Sequence, residues 1–190
     1  LGPIDDGPIE IAVPEVSEEG RPAGVPAEAK LVRVDIRSIT KGDYYKPWKP
    51  FQPWMGTQQS VEWKALAGIA APRYHYNHWE QQPYWEEAAK ALQYMVLSGS
   101  EDSVHMGRVY VDVIHEGDRL TPSFVQLYHA TEGYDINASM VCAGYAWWHR
   151  STWQRKVLSD CEAEARREKK GLWSDPNPIA PWDWRKGVRN

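Results

Sequence analysis

Apolar and polar residues first alternate along the chain at residues 31–39 (LVRVDIRSI). This period of two predicts a half-buried strand, so a strand opens the folded part of the chain. Residues 60–69 (SVEWKALAGI) predict a second strand region. Residues 107–118 (GRVYVDVIHEGD) alternate in the same way and end in a turn at residues 116–118. Residues 123–133 (SFVQLYHATEG) are expected to return antiparallel to that strand.

Three later segments carry helix signals. Residues 83–99 (PYWEEAAKALQYMVLSG) begin with a proline, have two glutamates near the start and end with a glycine. Residues 135–147 predict a short helix that ends near Gly144, and residues 154–170 predict a final helix that the next glycine stops. Strands that come first, with helices interleaved late, predict an α+β protein built on a small barrel.

Three segments fall outside these periodic patterns and set the predicted domain limits. Residues 1–30 are rich in proline and acidic residues, and they cannot bury enough apolar surface alone to offset the entropy of ordering them. We therefore expect the flank of the domain, or a second chain, to hold this tail. Residues 45–57 predict a Pro- and Trp-rich insertion within a domain that covers residues 31–174, and residues 175–190 predict a Trp- and Pro-rich C-terminal tail.

Composition and charge exclude several classes of protein. The 190 residues carry 22 basic and 26 acidic side chains, for a net charge of -4, which argues against a protein whose main task is to grip phosphate backbones. No apolar run predicts a membrane-spanning helix. The chain begins at Leu1 without a charged and apolar leader, and we interpret this as maturation by removal of a targeting segment rather than trimming.

The last third of the chain carries the most specific motifs. Residues 143–150 (AGYAWWHR) and 158–186 (LSDCEAEARREKKGLWSDPNPIAPWDWRK) resemble the last strand, last helix and tail of the staphylococcal nuclease-like (thermonuclease) family. Weaker similarities to that family are AGIAAP at 67–72, MGR at 106–108 and KGDY at 41–44. The resemblance covers roughly residues 30–184, and it implies a five-stranded OB-type barrel with about three helices.

The resemblance also implies a set of catalytic positions. A nuclease of this family holds Ca²⁺ with two aspartates, activates water with a glutamate and neutralises the phosphate with two arginines. In this chain these positions fall on Asp43, Ala70, Arg73, Ala65 and Arg108, in that order. Because alanine offers no oxygen to Ca²⁺ and an arginine brings a positive charge where the metal would lie, we predict a degenerate nuclease without a metal, a cofactor or catalytic residues.

Two features near this region have a structural and a functional interpretation. Asp43 and Arg108 are either relics of a site or, as we prefer, a turn aspartate and a strand-edge arginine in a surface ion pair. His75, His78 and Glu80 form an HxxHxE cluster that is either a metal site or, again preferred, part of an aromatic loop.

The cysteines and the late basic and aromatic residues leave alternatives open as well. Cys142 and Cys161 either pair across the last two helices or, as is commoner, remain small buried thiols, so the redox compartment stays undetermined. The late basic residues are either an RNA contact or a solvated helix face; they are Arg166, Arg167, Lys169 and Lys170, with Arg185 and Lys186. The C-terminal tryptophans are either base-stacking platforms or, as the resemblance implies, braces for the last helix.

The aromatic insertions suggest protein contacts. The chain has 11 Trp and 10 Tyr but only 2 Phe, a bias that suits interfaces better than a dry core. The predicted partner-binding residues are Trp48, Phe51, Trp54, Trp79 and Trp85. We expect a non-catalytic accessory subunit of a large multi-protein assembly in an organelle, mitochondria before plastids, bound peripherally to an energy-converting membrane complex. The alternatives are a nucleic-acid-binding module, such as an organellar ribosome or RNA-processing subunit, and an active Ca²⁺-dependent nuclease.

Overall fold

The computed structural model describes residues 20–39, 41–45, 64–74, 80–99, 105–118, 120–151 and 153–190. In chain order its strands are β1 (Lys30–Asp35), β2 (Tyr44–Tyr45), β3 (Lys64–Leu66), β4 (Ile69–Ala70), β5 (Met106–His115), β6 (Ser123–His129) and β7 (Trp147–Trp148). Its helices are α1 (Trp85–Ser98), α2 (Ile136–Cys142), α3 (Lys156–Arg167) and α4 (Pro181–Arg185). The predicted α+β class is therefore confirmed.

The strands form one mixed sheet and one small sheet. The larger sheet has the order β1-β5-β6-β3-β2, and β4 pairs with β7 in a separate two-stranded sheet. The predicted antiparallel pairing of β5 with β6 is confirmed, whereas β6 and β3 run parallel. The prediction of a closed barrel is wrong for the described residues, because no ladder joins the outer strands β1 and β2.

Helix α1 packs on the start of β5. Its buried face follows the helical period at Ala88, Ala89, Leu92 and Val96. The approach is close enough that a Cβ at Gly107 would lie 2.5 Å from the Val96 side chain, so this strand position requires a glycine. The central core lies between α1, α2, α3 and the large sheet. Its largest fully buried side chains are Ile39, Tyr45, Leu66, Leu92, Leu127, Ile136, Met140 and Leu158.

Two smaller clusters extend this core. Val25 and Ala29 are buried with Leu31 and Tyr110, so residues 20–29 pack on the outer face of the large sheet. The other cluster joins the C-terminal segment to α3, and its members are Trp147, Ala165, Leu172, Trp173 and Ala180. The described chain contains no helix long and apolar enough to cross a membrane.

A disulfide joins Cys142, at the end of α2, to Cys161 in α3. The preferred interpretation of two buried thiols is therefore wrong. The sequence contains only these two cysteines, and their spacing alone does not determine whether the helices that carry them lie side by side.

Candidate active site

Asp43 lies in the tight turn that precedes β2. The turn is held to β3 because the backbone N–H of Leu66 donates to the carbonyl oxygen of Asp43 at 2.9 Å. On its other side the turn presses against α1: a Cβ at Gly42 would lie 2.8 Å from the Cβ of Ala88 and 3.0 Å from that of Ala71. The glycine thus lets the Asp43 backbone approach both the helix and the segment after β4.

The Asp43 side chain points into the protein and contacts two groups of that segment. Its Oδ2 accepts a hydrogen bond of 3.0 Å from the backbone N–H of Ala71. The same oxygen lies 3.8 Å from Nη1 of Arg73, and the two side chains are only 3% and 9% exposed. The expectation of a surface ion pair for Asp43 is therefore wrong: the ion pair is buried, and its cation is Arg73.

Burial and charge act in opposite directions on Asp43. Burial raises the pKa of Asp43 above its ordinary value, while the Arg73 guanidinium, the Ala71 N–H and Lys41 each act to lower it. Within the described residues Oδ1 of Asp43 accepts no hydrogen bond. Oδ2 is thus held by the Ala71 amide and the Arg73 guanidinium, whereas Oδ1 has no hydrogen-bond partner among the described residues, which is a modest set of direct contacts for a buried charge.

The C-terminal segment fixes the position of Arg73. The backbone N–H of Arg73 donates to Oε1 of Gln82 at 2.8 Å, and the N–H of Gln82 returns a bond of 3.1 Å to the Arg73 carbonyl. Nε2 of Gln82 then donates to the carbonyl of Ile179 at 2.6 Å. The buried Gln82 amide therefore links the arginine to the tail, a role that no sequence motif indicated.

Further basic groups lie near the ion pair. Burial, together with Arg73 and Arg185, lowers the pKa of Lys41, whereas Asp43 acts to raise it. Burial also lowers the pKa of His149, and the same two arginines contribute in that direction. The imidazole of His149 packs edge-on against Trp182 at 5.3 Å between ring centroids. The surroundings of Asp43 are therefore basic.

The two alanines of the predicted site lie on β3 and β4 beside this ion pair. Ala65 and Ala70 are 2% and 1% exposed, so neither opens to solvent, and their methyl side chains supply no polar atom. A site for Ca²⁺ needs six or more oxygen ligands, most of them from carboxylates and carbonyls. The described residues contain no group of three His, Cys, Asp or Glu side chains that could hold a metal. Of the four family positions that lie together here, Asp43 alone carries a carboxylate and Arg73 lies against it, so these four side chains do not fit Ca²⁺.

The comparison with protein-family models decides the family. The model of the staphylococcal nuclease homologues matches residues 65–175, which is more than half of the chain. This chain belongs to that family.

Several curated relatives are named nucleases. An uncharacterized endonuclease of Escherichia coli O157:H7 is 37% identical over 83 residues, which are 44% of this chain and 54% of the relative. The probable staphylococcal-like nuclease CAN1 of Oryza sativa subsp. japonica is 33% identical over 125 residues, 66% of this chain and 33% of the relative. The micrococcal nuclease of Shigella flexneri is 44% identical over 62 residues, 32% of this chain and 36% of the relative. The matched region thus spans about half the length of these relatives or less.

The remaining arginine predicted for the nuclease site lies elsewhere in the sheet. Arg108 is on β5, where it is directly opposite Arg33 of β1. Strand β6 separates β5 from β3 in the sheet order, and the β6 residue next to Ala65 is Phe124. The structure therefore brings together Asp43, Arg73, Ala65 and Ala70, with Phe124 beside them, and it places Arg108 two strands away from β3.

Most of the predicted partner-binding residues lie outside the described chain. These are Trp48, Phe51, Trp54 and Trp79, and the histidines His75 and His78 of the HxxHxE cluster are outside it as well. Trp85 is described at the start of α1, where its half-buried ring packs on Tyr74 at 4.5 Å between centroids. Glu80 forms an ion pair of 3.1 Å with Arg189. Binding of a partner by Trp85 stays a prediction.

Proposed function

We propose that this chain is a non-catalytic member of the nuclease family that serves as an accessory subunit of a larger protein assembly. One observation carries the proposal: the guanidinium of Arg73 lies 3.8 Å from the Asp43 carboxylate, so a covalently attached cation already faces the aspartate at the first predicted metal position. A divalent ion that approached Asp43 would be repelled by Arg73, and the described residues contain no group of three His, Cys, Asp or Glu side chains that could hold it.

The neighbouring positions support the same proposal. Transition-state stabilisation of a phosphodiester requires cations or donors aimed at the developing charge. Ala65 supplies a methyl group, and the adjacent strand presents the phenyl ring of Phe124 rather than a donor. Because Asp43 and both alanines are almost completely buried, a nucleic acid strand has no direct access to them. Arg108 lies on β5, opposite Arg33 of β1, rather than on β3 or β4.

The accessory role rests on the parts of the chain that a nuclease does not need. The acidic, Pro-rich N-terminal segment and the aromatic insertion at residues 45–57 offer contact area, and a net charge of -4 suits a protein partner better than RNA. We extend the proposal to a peripheral subunit of an organellar, energy-converting membrane complex, with mitochondria preferred to plastids.

A cleavage assay tests the loss of catalysis. We expect the purified protein to cut single-stranded DNA at the background rate with or without Ca²⁺, and isothermal titration to detect no Ca²⁺ binding. The matched control is the triple variant Ala65→Arg, Ala70→Asp, Arg73→Glu, which restores the family pattern beside Asp43 and should bind Ca²⁺ measurably. A calcium-dependent cleavage by the unmodified protein, abolished by Asp43→Ala, would overturn the proposal.

A binding assay separates the accessory role from a nucleic-acid-binding role. Electrostatic binding to phosphates weakens steeply as salt rises, so a nucleic-acid module should bind labelled RNA with a strong salt dependence. We expect no binding of an RNA 30-mer at physiological salt. Salt-sensitive binding under those conditions would replace the accessory role with the nucleic-acid role, while leaving the loss of cleavage untouched.

A further inference from the structure

The Cys142–Cys161 disulfide joins two helices that are already attached at their other ends. Asp135, at the start of α2, forms an ion pair of 2.9 Å with Arg155, the residue that precedes α3. One to two turns further along each helix, the disulfide holds the Cα atoms of the two cysteines 4.3 Å apart, and Cys161 is only 6% exposed. The two helices are therefore fixed to each other at two points, and the second point is covalent.

Glu162, the residue after Cys161, connects α3 to β7 and, through Arg166, to the C-terminal segment. Oε2 of Glu162 accepts a hydrogen bond of 2.9 Å from the backbone N–H of Trp148 in β7. Oε1 of Glu162 accepts from Nε of Arg166 at 3.0 Å. The guanidinium of Arg166 lies 4.1 Å from the ring centroid of Trp173. The part of α3 that bears the disulfide thus also orients Arg166, on which Trp173 packs.

We propose that this bond is a structural disulfide, made in an oxidising compartment, that locks α3 and the C-terminal tryptophan cluster onto the domain. Its formation removes one hydrogen from each thiol, joins the two sulfurs, and passes two electrons and two protons to the disulfide of a thiol–disulfide oxidoreductase, which leaves as a dithiol. Such bonds persist in secretory, periplasmic and intermembrane spaces and are rare where glutathione keeps thiols reduced. The bond therefore restricts the expected organelle to one of its oxidising spaces.

Thiol trapping tests the redox state directly. Native material is quenched with acid and denatured in the presence of N-ethylmaleimide, so that buried free thiols are alkylated too. It is then reduced and labelled with a second alkylating reagent, and the peptides are read by mass spectrometry. We expect both cysteines to carry only the second label. If both carry N-ethylmaleimide, the thiols are free in the native protein and the proposal is overturned.

A stability comparison tests the structural role independently. The bond closes a loop with a sequence separation of 19 residues, so reducing the full chain should lower its midpoint of thermal unfolding by about 10 °C. Amides of Leu172 and Trp173 should also exchange with deuterium faster, while those of β5 and β6 keep their protection. The control variant Cys142→Ala/Cys161→Ala should have the same midpoint as the reduced protein, and adding reductant should not change it. An unchanged midpoint and unchanged exchange on reduction of the unmodified chain would contradict a locking role.

Discussion

Replacing Arg73 by methionine removes the cation from the buried ion pair and keeps most of the length of the side chain. At 3.8 Å and an effective dielectric constant of about 20, the attraction between the two charges is about 4 kcal/mol. Breaking a buried pair by removing one partner costs about 3–5 kcal/mol, because the other charge stays buried without compensation. Since one nitrogen of Arg73 faces Oδ2 across a long gap, we expect Arg73→Met to lower the free energy of unfolding by about 3 kcal/mol at pH 7.

The loss of stability caused by Arg73→Met should become smaller as the pH is lowered. Burial already raises the pKa of Asp43, and Arg73 opposes that rise, so its removal raises the pKa of Asp43 further. Above that pKa the variant carries a buried, uncompensated carboxylate and the full penalty. As pH falls through it, Asp43 takes up a proton and the penalty shrinks. The difference in unfolding free energy between the two proteins should therefore decrease on acidification.

Urea unfolding at several pH values, followed by circular dichroism, measures this difference. The second variant, Asp43→Asn/Arg73→Met, lacks both charges and should regain most of the stability at pH 7. Lys90→Met is the matched control for an exposed pair, since Lys90 lies 2.8 Å from Glu86 at the surface, and it should leave the stability nearly unchanged. A loss below about 1 kcal/mol for Arg73→Met, with no pH dependence, would refute the assignment of a buried ion pair.

Three further changes probe the elements around the site. Gly42→Ala places a Cβ 2.8 Å from that of Ala88, and urea unfolding should show a loss of about 1–3 kcal/mol. Asp135→Ala removes the cap that accepts the N–H of Ala138 at 2.7 Å, and the same assay should show a loss of about 1–2 kcal/mol. Burial lowers the pKa of His129, whose Nδ1 accepts a backbone N–H at 3.0 Å. The unfolded chain therefore takes up a proton more readily, and the free energy of unfolding should fall as pH drops below about 6.5. Thermal unfolding between pH 5 and 8 should show a weaker pH dependence for His129→Gln.

The regular elements with local signals could be predicted from the sequence. The alternation in residues 107–118 and 123–133 corresponds to β5 and β6, and the start and stop signals of residues 83–99 correspond to α1. The helix begins at Trp85, because Tyr84 adopts a left-handed φ of 69°. The short helix α4 has a proline at its first position, but five residues are too few for a periodic pattern, so packing rather than period defines it.

The arrangement of the candidate site depends on which strands pair with each other, and no local sequence pattern specifies that. The MGR motif indicated Arg108 as a residue of the site. However, β5 and β6 have the same alternating pattern, so the sequence does not specify which of the two strands lies beside β3. The parallel pairing of β3 with β6 settles this and puts Phe124 next to Ala65. The sequence alone shows that position 73 carries a positive charge. The hydrogen bonds that link Arg73 through Gln82 to the C-terminal segment are visible only in the folded chain.

The geometry around Asp43 also gives a structural reason for a carboxylate in this turn. Its Oδ2 accepts the N–H of Ala71, and its carbonyl accepts the N–H of Leu66, so this one residue joins the turn to the segments on either side of β4. An alanine there would leave the Ala71 amide buried without an acceptor, which costs about 1–3 kcal/mol. A buried carboxylate needs a nearby positive charge, and Arg73 supplies it from within the chain, with no dependence on the concentration of an ion. The structural demand on the turn therefore accounts for Asp43 whether or not a phosphodiester is ever cleaved beside it.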